Sequence, residues 1–359
     1  MRVMIAPDSF GETLTAVEAA AAIAAGWSEI RPDDQLVLAP QSDGGPGFVD
    51  VLAAAGGVIR PVVVAGPLDA EVQARWLHDG GDAYIESAQA CGLGLLGGSP
   101  TPVTARRAHS RGVGQLVAAA LDAGARRIVV GLGGSSCTDG GRGLLAALSD
   151  VLGGTDAVVA RLREIELVAA TDVENPLLGT NGAAHIFGPQ KGADPETVTW
   201  LEQRNAEWAE QLRLLSGREV ADRPGAGAAG GIGATLLALG AVRKSGAQVV
   251  AGRTGQDRQL DFVDLVITGE GKLDQQSLCG KLVVALAGAA RRRSIRTLVL
   301  AGQVLLDRGQ LDAMGIDTAL SLVEHAGSVE VAMSDAHAQL RDVAAGAARR
   351  WGQIGGCAP

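Results

Sequence analysis

Short apolar runs rich in β-branched residues alternate along this chain with longer Ala- and Leu-rich stretches whose apolar positions recur every third or fourth residue. The runs at 3–6, 36–39, 128–130, 165–170, 265–267, 297–301 and 318–322 predict strands, and the stretches between them predict helices. Thr15 and Glu18 form a capping-box pattern for an Ala-rich helix running to Gly26. Pro46 suits the first turn of a helix that reaches Ala55 and ends at Gly56. Further helices are predicted over 113–121, closed by Gly124, over 144–152, through Trp200 and Trp208, and at the C-terminal side as far as Trp351. From Arg60 to Ala88 the texture changes. Runs at 62–64, 72–77 and 82–85 are separated by Gly66-Pro67 and Asp79-Gly80-Gly81, which predicts an antiparallel meander.

A chain of 359 residues exceeds one usual domain, so two are expected. The hydrophobic fraction is 47% but the aromatic fraction only 3%, so the core must be built from Ala, Val, Leu and Ile, in keeping with α/β architecture. A net charge of -9 argues against nucleic-acid and anionic-membrane partners, whose signature is a basic stripe. Cys91, Cys137, Cys279 and Cys357 form no zinc-like spacing and read as reduced packing residues. The first apolar run is short and ends in Pro7-Asp8, and no run reaches the roughly 18 apolar residues of a membrane span. The expectation is a soluble, cytoplasmic protein.

Candidate chemistry centres on Arg127 to Gly143. A buried strand there leads into Gly131, Gly133, Gly134, Gly140 and Gly141, interspersed with Ser135, Ser136 and Thr138, and then into a helix. Glycines let backbone N–H groups approach a ligand, and a helix N-terminus favours anions. Asp139 would repel phosphate unless a divalent cation lay between them, so the loop reads as a site for phosphate plus metal. A tight strand-to-helix connection is the alternative. Asp8, Asp43, Asp139, Asp172 and Glu270 each follow a predicted strand, an arrangement that gathers carboxylates at the ligand-binding edge of a parallel sheet. Each alone could equally be a helix cap or Asx turn. Asp139 or Asp172 could hold a metal, while Lys191, Lys272 and Lys281 could neutralise phosphate or a substrate carboxylate. This set suits magnesium-assisted phosphoryl transfer. No Walker A pattern and no Gly-x-Ser-x-Gly elbow occurs. The glycine run from Gly225 to Gly233 formally matches a dinucleotide fingerprint, but no predicted strand leads into it, so the match is read as false.

Seven motifs in order make the chain resemble the bacterial type-1 glycerate kinase family along nearly its whole length. They are Ala6-Pro7-Asp8-Ser9-Phe10, Ser42-Asp43-Gly44-Gly45-x-Gly47, Gly133-Gly134-Ser135-x-x-x-Asp139-Gly140-Gly141, Asp172-x-x-Asn175-Pro176, Phe187-Gly188-Pro189-Gln190-Lys191-Gly192, Gly225-Ala226-Gly227-Ala228-Ala229-Gly230-Gly231 and Thr268-Gly269-Glu270-Gly271. The resemblance implies ATP- and Mg2+-dependent phosphorylation of glycerate, at the 2-hydroxyl by the family's usual product. It also implies a Rossmann-like parallel-sheet domain, a second α/β domain and an active site in the cleft between them. With the meander interrupting the βαβ run, the expected boundaries are 1–58, 105–178 and 262–359 for a discontinuous Rossmann-like domain and 59–104 and 179–261 for its companion.

On this reading Asp8, Asp172, Lys191 and Glu270 are catalytic, with Asp172 or Asp8 accepting the hydroxyl proton. Asp139 and Asp172 hold the metal. Asp43, Gly44, Gly45, Gly133, Gly134, Ser135, Ser136, Gly140, Gly141 and Lys272 bind ATP, the amides from Gly133 to Ser136 cradling its phosphates, and Ser9, Asn175, Gln190 and Lys281 bind the substrate. The expected partner is a small molecule, glycerate or a related hydroxy acid, with a homodimer left open.

Three positions depart from the pattern. Gly11-Glu12 stands where similar members carry Lys then Gly, Lys272 replaces an Arg, and Gln115 stands where Glu is usual. Lys191 or Arg142 could supply the missing cation. The first departure motivates an alternative, a non-catalytic or substrate-shifted paralogue binding a nucleotide or small acid. A nicotinamide-dependent oxidoreductase rests only on the Gly225 run.

Overall fold

The structure is a computed structural model that describes all residues except Glu12, Gln276, 278–281 and 355–359, with the side chains of 352–354 also left aside. Among the described residues eleven strands follow in chain order: β1 (Arg2–Ile5), β2 (Gln35–Leu38), β3 (Val58–Ala65), β4 (Glu71–Asp79), β5 (Asp82–Glu86), β6 (Arg127–Gly131), β7 (Glu166–Ala170), β8 (Val242–Lys244), β9 (Leu265–Leu273), β10 (Arg296–Val304) and β11 (Thr318–Ser321). They form two sheets in two compact units.

Unit 1 comprises Met1–Ser42 and the chain from Val250 onward. Its five strands run in the order β11-β10-β9-β1-β2, all parallel. The strands are apolar because both faces are covered. Val3, Ile5, Leu265, Ile267, Leu298 and Leu300 pack under helices Ala16–Ile30 and Ala336–Ile354, while Met4, Val266 and Val299 face the side of helix Leu282–Arg291. The Thr15–Glu18 capping box forms as the sequence predicts, with Glu18 N–H donating to Thr15 Oγ1 at 3.2 Å and Thr15 N–H to Glu18 Oε2 at 2.9 Å. The helix does not end at Gly26. It continues to Ile30, and Gly26 is a packing position where a β-carbon would overlap the Arg341 carbonyl oxygen.

Unit 2, Asp43–Val249, holds the order β3-β4-β5-β6-β7-β8. The predicted meander is present as antiparallel β3-β4-β5, and β5 through β8 are parallel. Here the expected boundaries differ from the observed division. The sequence texture places the strand at Ile128 in the Rossmann-like domain, but β6 pairs with the meander's last strand, Ala83 opposite Ile128 and Glu86 opposite Gly131. That pairing draws 43–249 into one continuous unit. Pro46 lies just before helix Phe48–Ala53, whose N-cap is Gly47. Among the described residues no strand leads into the Gly225 run, which enters helix Ala228–Ala238 through Ala229, Gly230 and Gly231 in left-handed conformation. The run therefore lacks the strand-turn-helix context of a dinucleotide fold.

Gly26→Ala is expected to destabilise unit 1 by about 1–3 kcal/mol through overpacking against the C-terminal helix. Urea unfolding measures it, and a change within experimental error would contradict the packing described.

Candidate functional site

The five carboxylates expected on one edge are divided between two sheets. Asp8 and Glu270 belong to unit 1, and Asp43, Asp139 and Asp172 to unit 2. In unit 1, β1 pairs with β2 on one side and β9 on the other, so the strand order reverses between β1 and β9. Crossover helices leave such a pair toward opposite faces, and the carboxyl ends of the strands open onto a crevice where α/β folds bind ligands. A cavity of about 420 Å³ occupies that place, lined by residues from the carboxyl ends of β1, β9, β10 and β11. Asp8, Ser9, Glu270 and Lys272 all border it. Glu270 lies inside β9, not after it, because β9 keeps pairing with β10 as far as Leu273.

Local bonds orient this floor. Asp8 N–H donates to the Gly269 carbonyl at 2.8 Å, and Asp8 Oδ1 accepts from the Ser9 N–H at 2.7 Å. Glu270 is buried, and its Oε1 accepts the Ser277 hydroxyl at 2.8 Å. Lys272 is exposed and lies 3.5 Å from Asp274. Gly11 also borders the cavity with φ +60, a conformation that disfavours any β-carbon. The departure from Lys at this position thus coincides with a backbone that suits glycine. Magnesium commonly binds through one or two carboxylates plus phosphate oxygens, and Glu270 fits as one such carboxylate at the cavity. Among the described residues no three His, Cys, Asp or Glu side chains gather as a ready-made metal site.

Unit 2 corrects several expectations. Asp139 is fully buried and its oxygens accept from Ser110 N–H at 2.9 Å, Ser110 Oγ at 2.8 Å, Gly141 N–H at 3.1 Å and Gly143 N–H at 3.0 Å. It ties the loop to the next helix and is not presented to a metal. Lys191 is buried too, donating to Ser135 Oγ at 2.9 Å and the Cys137 carbonyl at 2.6 Å, and burial pushes its ammonium below the ordinary range. It braces the loop instead of meeting substrate. Arg142 stacks 5.2 Å from the Trp208 ring and donates to the Arg204 carbonyl, so neither cation replaces the one absent at Gly11. The phosphate cradle is likewise partly committed. Ser136 N–H donates to the Cys91 carbonyl at 2.7 Å, Gly140 N–H to the Gly230 carbonyl at 3.0 Å, and Gly141 N–H to Asp139.

The glycines are there for loop-on-loop packing. A β-carbon on Gly133 would overlap Gly45 Cα, and one on Gly134 would sit 2.7 Å from Pro46. A β-carbon on Gly44 would sit 2.7 Å from the Ala170 carbonyl oxygen. Asp43 Oδ1 accepts from Gly45 N–H at 3.0 Å as an Asx turn, and Asp172 Oδ2 accepts from Ala247 N–H at 3.3 Å. Both are exposed, as is Gln190, while Asn175 donates to the Asn181 carbonyl at 2.8 Å. Lys281, Cys279, Cys357 and Glu12 lie outside the described residues. Cys91 and Cys137 are buried free thiols, Cys137 held well above its ordinary range by the Cys91 sulfur and by burial. No single helix among the described residues is long and apolar enough to cross a membrane.

The sequence reading missed Glu86. It ends β5, is 2% exposed, and its Oε2 accepts from Gly47 N–H at 3.0 Å and Val49 N–H at 3.3 Å, anchoring the loop that carries Asp43. Burial pushes its carboxyl up to about 7, with Asp50 adding to the effect and the two N–H groups opposing it. An acid directly after the 82–85 run was the available signal.

Two outcomes follow. Asp139→Asn should lower the unfolding free energy measured without magnesium by about 3 kcal/mol or more, since buried N–H donors lose their acceptor. A variant of wild-type stability that merely needed more magnesium would restore the metal-ligand role. For Glu86, a carboxyl with a raised folded-state value holds its proton more tightly when folded. Wild-type stability therefore falls as pH rises from the ordinary carboxylate range to about 7 and levels off above it. Glu86→Gln should remove that slope in urea unfolding across the interval, and an unchanged slope would show that another group causes it.

With the geometry described, comparison with known proteins places the chain. The model of the glycerate kinase family matches residues 3–156 and 153–352. An uncharacterised protein of Mycobacterium tuberculosis (strain CDC 1551 / Oshkosh) is 56% identical over 99% of this chain and 93% of its own length. The glycerate 2-kinase of Escherichia coli (strain K12) is 39% identical over 94% of each chain, and the glycerate kinase of Bacillus subtilis (strain 168) 38% identical over 96% of this chain and 97% of its own. A crystal structure assigned as glycerate kinase 2 from Salmonella typhimurium LT2 superposes with a TM-score of 0.79 at 32% identity, covering 99% of this chain and 100% of the other. Two α/β units, one with an all-parallel sheet and one with a mixed sheet, and seven ordered motifs agree with that match: the chain belongs to the glycerate kinase family.

Proposed function

We propose that this protein is an ATP- and magnesium-dependent kinase that phosphorylates glycerate at its 2-hydroxyl. The observation that carries the reading is the convergence of Asp8, Ser9, Glu270 and Lys272 on one cavity at the switch point of a parallel sheet, in a chain of this family. Magnesium-ATP supplies the phosphoryl group and the charge neutralisation that its transfer requires.

The chain's own residues divide the remaining work. Asp8, part-buried and held by its contact with the Ser9 amide, accepts the proton of the attacking hydroxyl. Glu270, oriented by Ser277, would hold the magnesium ion. Lys272, exposed at the cavity, balances negative charge that builds on the transferring group. The exposed candidates Asp43 and Asp172 belong to unit 2 and carry no step in this reading. The paralogue alternative rests on Gly11 alone, and the retention of both carboxylates beside Gly11 in the same cavity weighs against a decayed enzyme.

Asp8→Asn keeps an oxygen for the Ser9 N–H but cannot accept the proton. We expect kcat on D-glycerate to fall about 100-fold or more with the melting transition unchanged. Retention of kcat within about tenfold would remove Asp8 from the base role.

A further inference from the structure

The cavity of unit 1 has a second wall that the proposed chemistry does not use. Besides the polar floor, the cavity is lined by Leu322, Val323, Val329, Ala332 and Met333, from the short helices Leu322–Ala326 and Val329–Ser334 that follow β11. Leu322 and Ala332 are buried and secure the wall to the core beneath β10 and helix Ala336–Ile354. Val329 and Met333 are 45% and 58% exposed, so two apolar side chains stand beside the cavity in contact with water. The Ser328 hydroxyl accepts the Val331 N–H at 3.2 Å and caps the helix that carries them.

Glycerate cannot account for this wall. Every carbon of glycerate bears oxygen, so it gains little from apolar contact, and its polar groups are matched by the floor of Asp8, Glu270 and Lys272. The cavity, at about 420 Å³, falls within the range of sites that take drug-sized ligands, about 300–1,000 Å³. A ligand that fills it needs one strongly anionic end for Lys272 and one flat, largely apolar end for the wall. A purine nucleotide has that division, with phosphates at one end and an aromatic base at the other. Resting on the kinase reading for the polar floor, we propose that the wall formed by Leu322, Val323, Val329, Ala332 and Met333 seats the base of the nucleotide phosphoryl donor.

Met333 is the position to test, because its exposure lets it be changed without disturbing the core. Met333→Asp and the milder Met333→Ser are compared with wild type by calorimetric titration of ADP with magnesium, and of tripolyphosphate, which has the charge but no base. The proposal expects Met333→Asp to weaken ADP at least tenfold and Met333→Ser by a smaller factor, with tripolyphosphate within twofold and the KM for glycerate unchanged. Equal loss for ADP and tripolyphosphate would reveal charge repulsion without base contact and would overturn it. Unchanged ADP affinity, or no ADP binding to wild type, would overturn it as well. The two readings fail separately. ADP binding that depends on Met333 without glycerate turnover contradicts the kinase assignment alone, and glycerate turnover with ADP binding indifferent to Met333 contradicts the base seat alone.

Discussion

The pairing of β1 with β2 on one side and β9 on the other is the constraint from which the functional reading descends. Because β1 is central and parallel to both neighbours, its two adjoining crossovers must leave in opposite directions, and backbone cannot fill the space between them. Asp8 follows β1 after Ala6 and Pro7, and Glu270 lies in the extension of β9. The same pairing that satisfies the strands' hydrogen bonds therefore carries both carboxylates to the crevice. Buried Met4, Ile5, Val266 and Ile267 hold the strands in that register from both faces. The site is a consequence of the core.

In unit 2 the acidic and glycine-rich segments do a different kind of work. Asp139, Lys191 and Glu86 are ionisable groups taken out of water, and each is matched by specific partners: amides and a hydroxyl for Asp139, a hydroxyl and a carbonyl for Lys191, helix-start amides for Glu86. Leaving any one unpaired would be costly, which makes these residues organisers of the loops after β2 and β6. Gly133 and Gly134 serve the same end, since the loop after β6 approaches Gly45 and Pro46 more closely than a β-carbon allows, and Gly44 does so against the Ala170 carbonyl.

Much of the fold could be read from local pattern. The Thr15–Glu18 capping box, the meander with its turn dipeptides, and the strands at 128–130 and 165–170 follow from short-range chemistry, and the structure contains them. Strand order could not be read this way. Whether β6 neighbours β5 or β1 depends on contacts remote in sequence, so the domain boundaries expected from texture differed from the division observed. The site residues show the same limit. An aspartate after a strand looks the same in sequence whether it borders a cavity, as Asp8 does, or is enclosed by amides, as Asp139 is. Glycine is equally ambiguous, because close approach to a ligand and close approach to another loop need the same missing side chain. The apolar wall at Val329 and Met333 belongs to no motif in the sequence. Its meaning depends on the polar residues that line the same cavity.

Phosphorus NMR of the purified protein with magnesium-ATP and D-glycerate tests the central claim most directly. The account predicts stoichiometric ADP and one new phosphomonoester whose phosphorus couples to a single proton, as substitution at the 2-hydroxyl requires. A phosphomonoester coupled to a methylene pair would place the phosphate on the 3-hydroxyl. Absence of any phosphorylated glycerate, with ATP intact, would contradict the kinase reading itself.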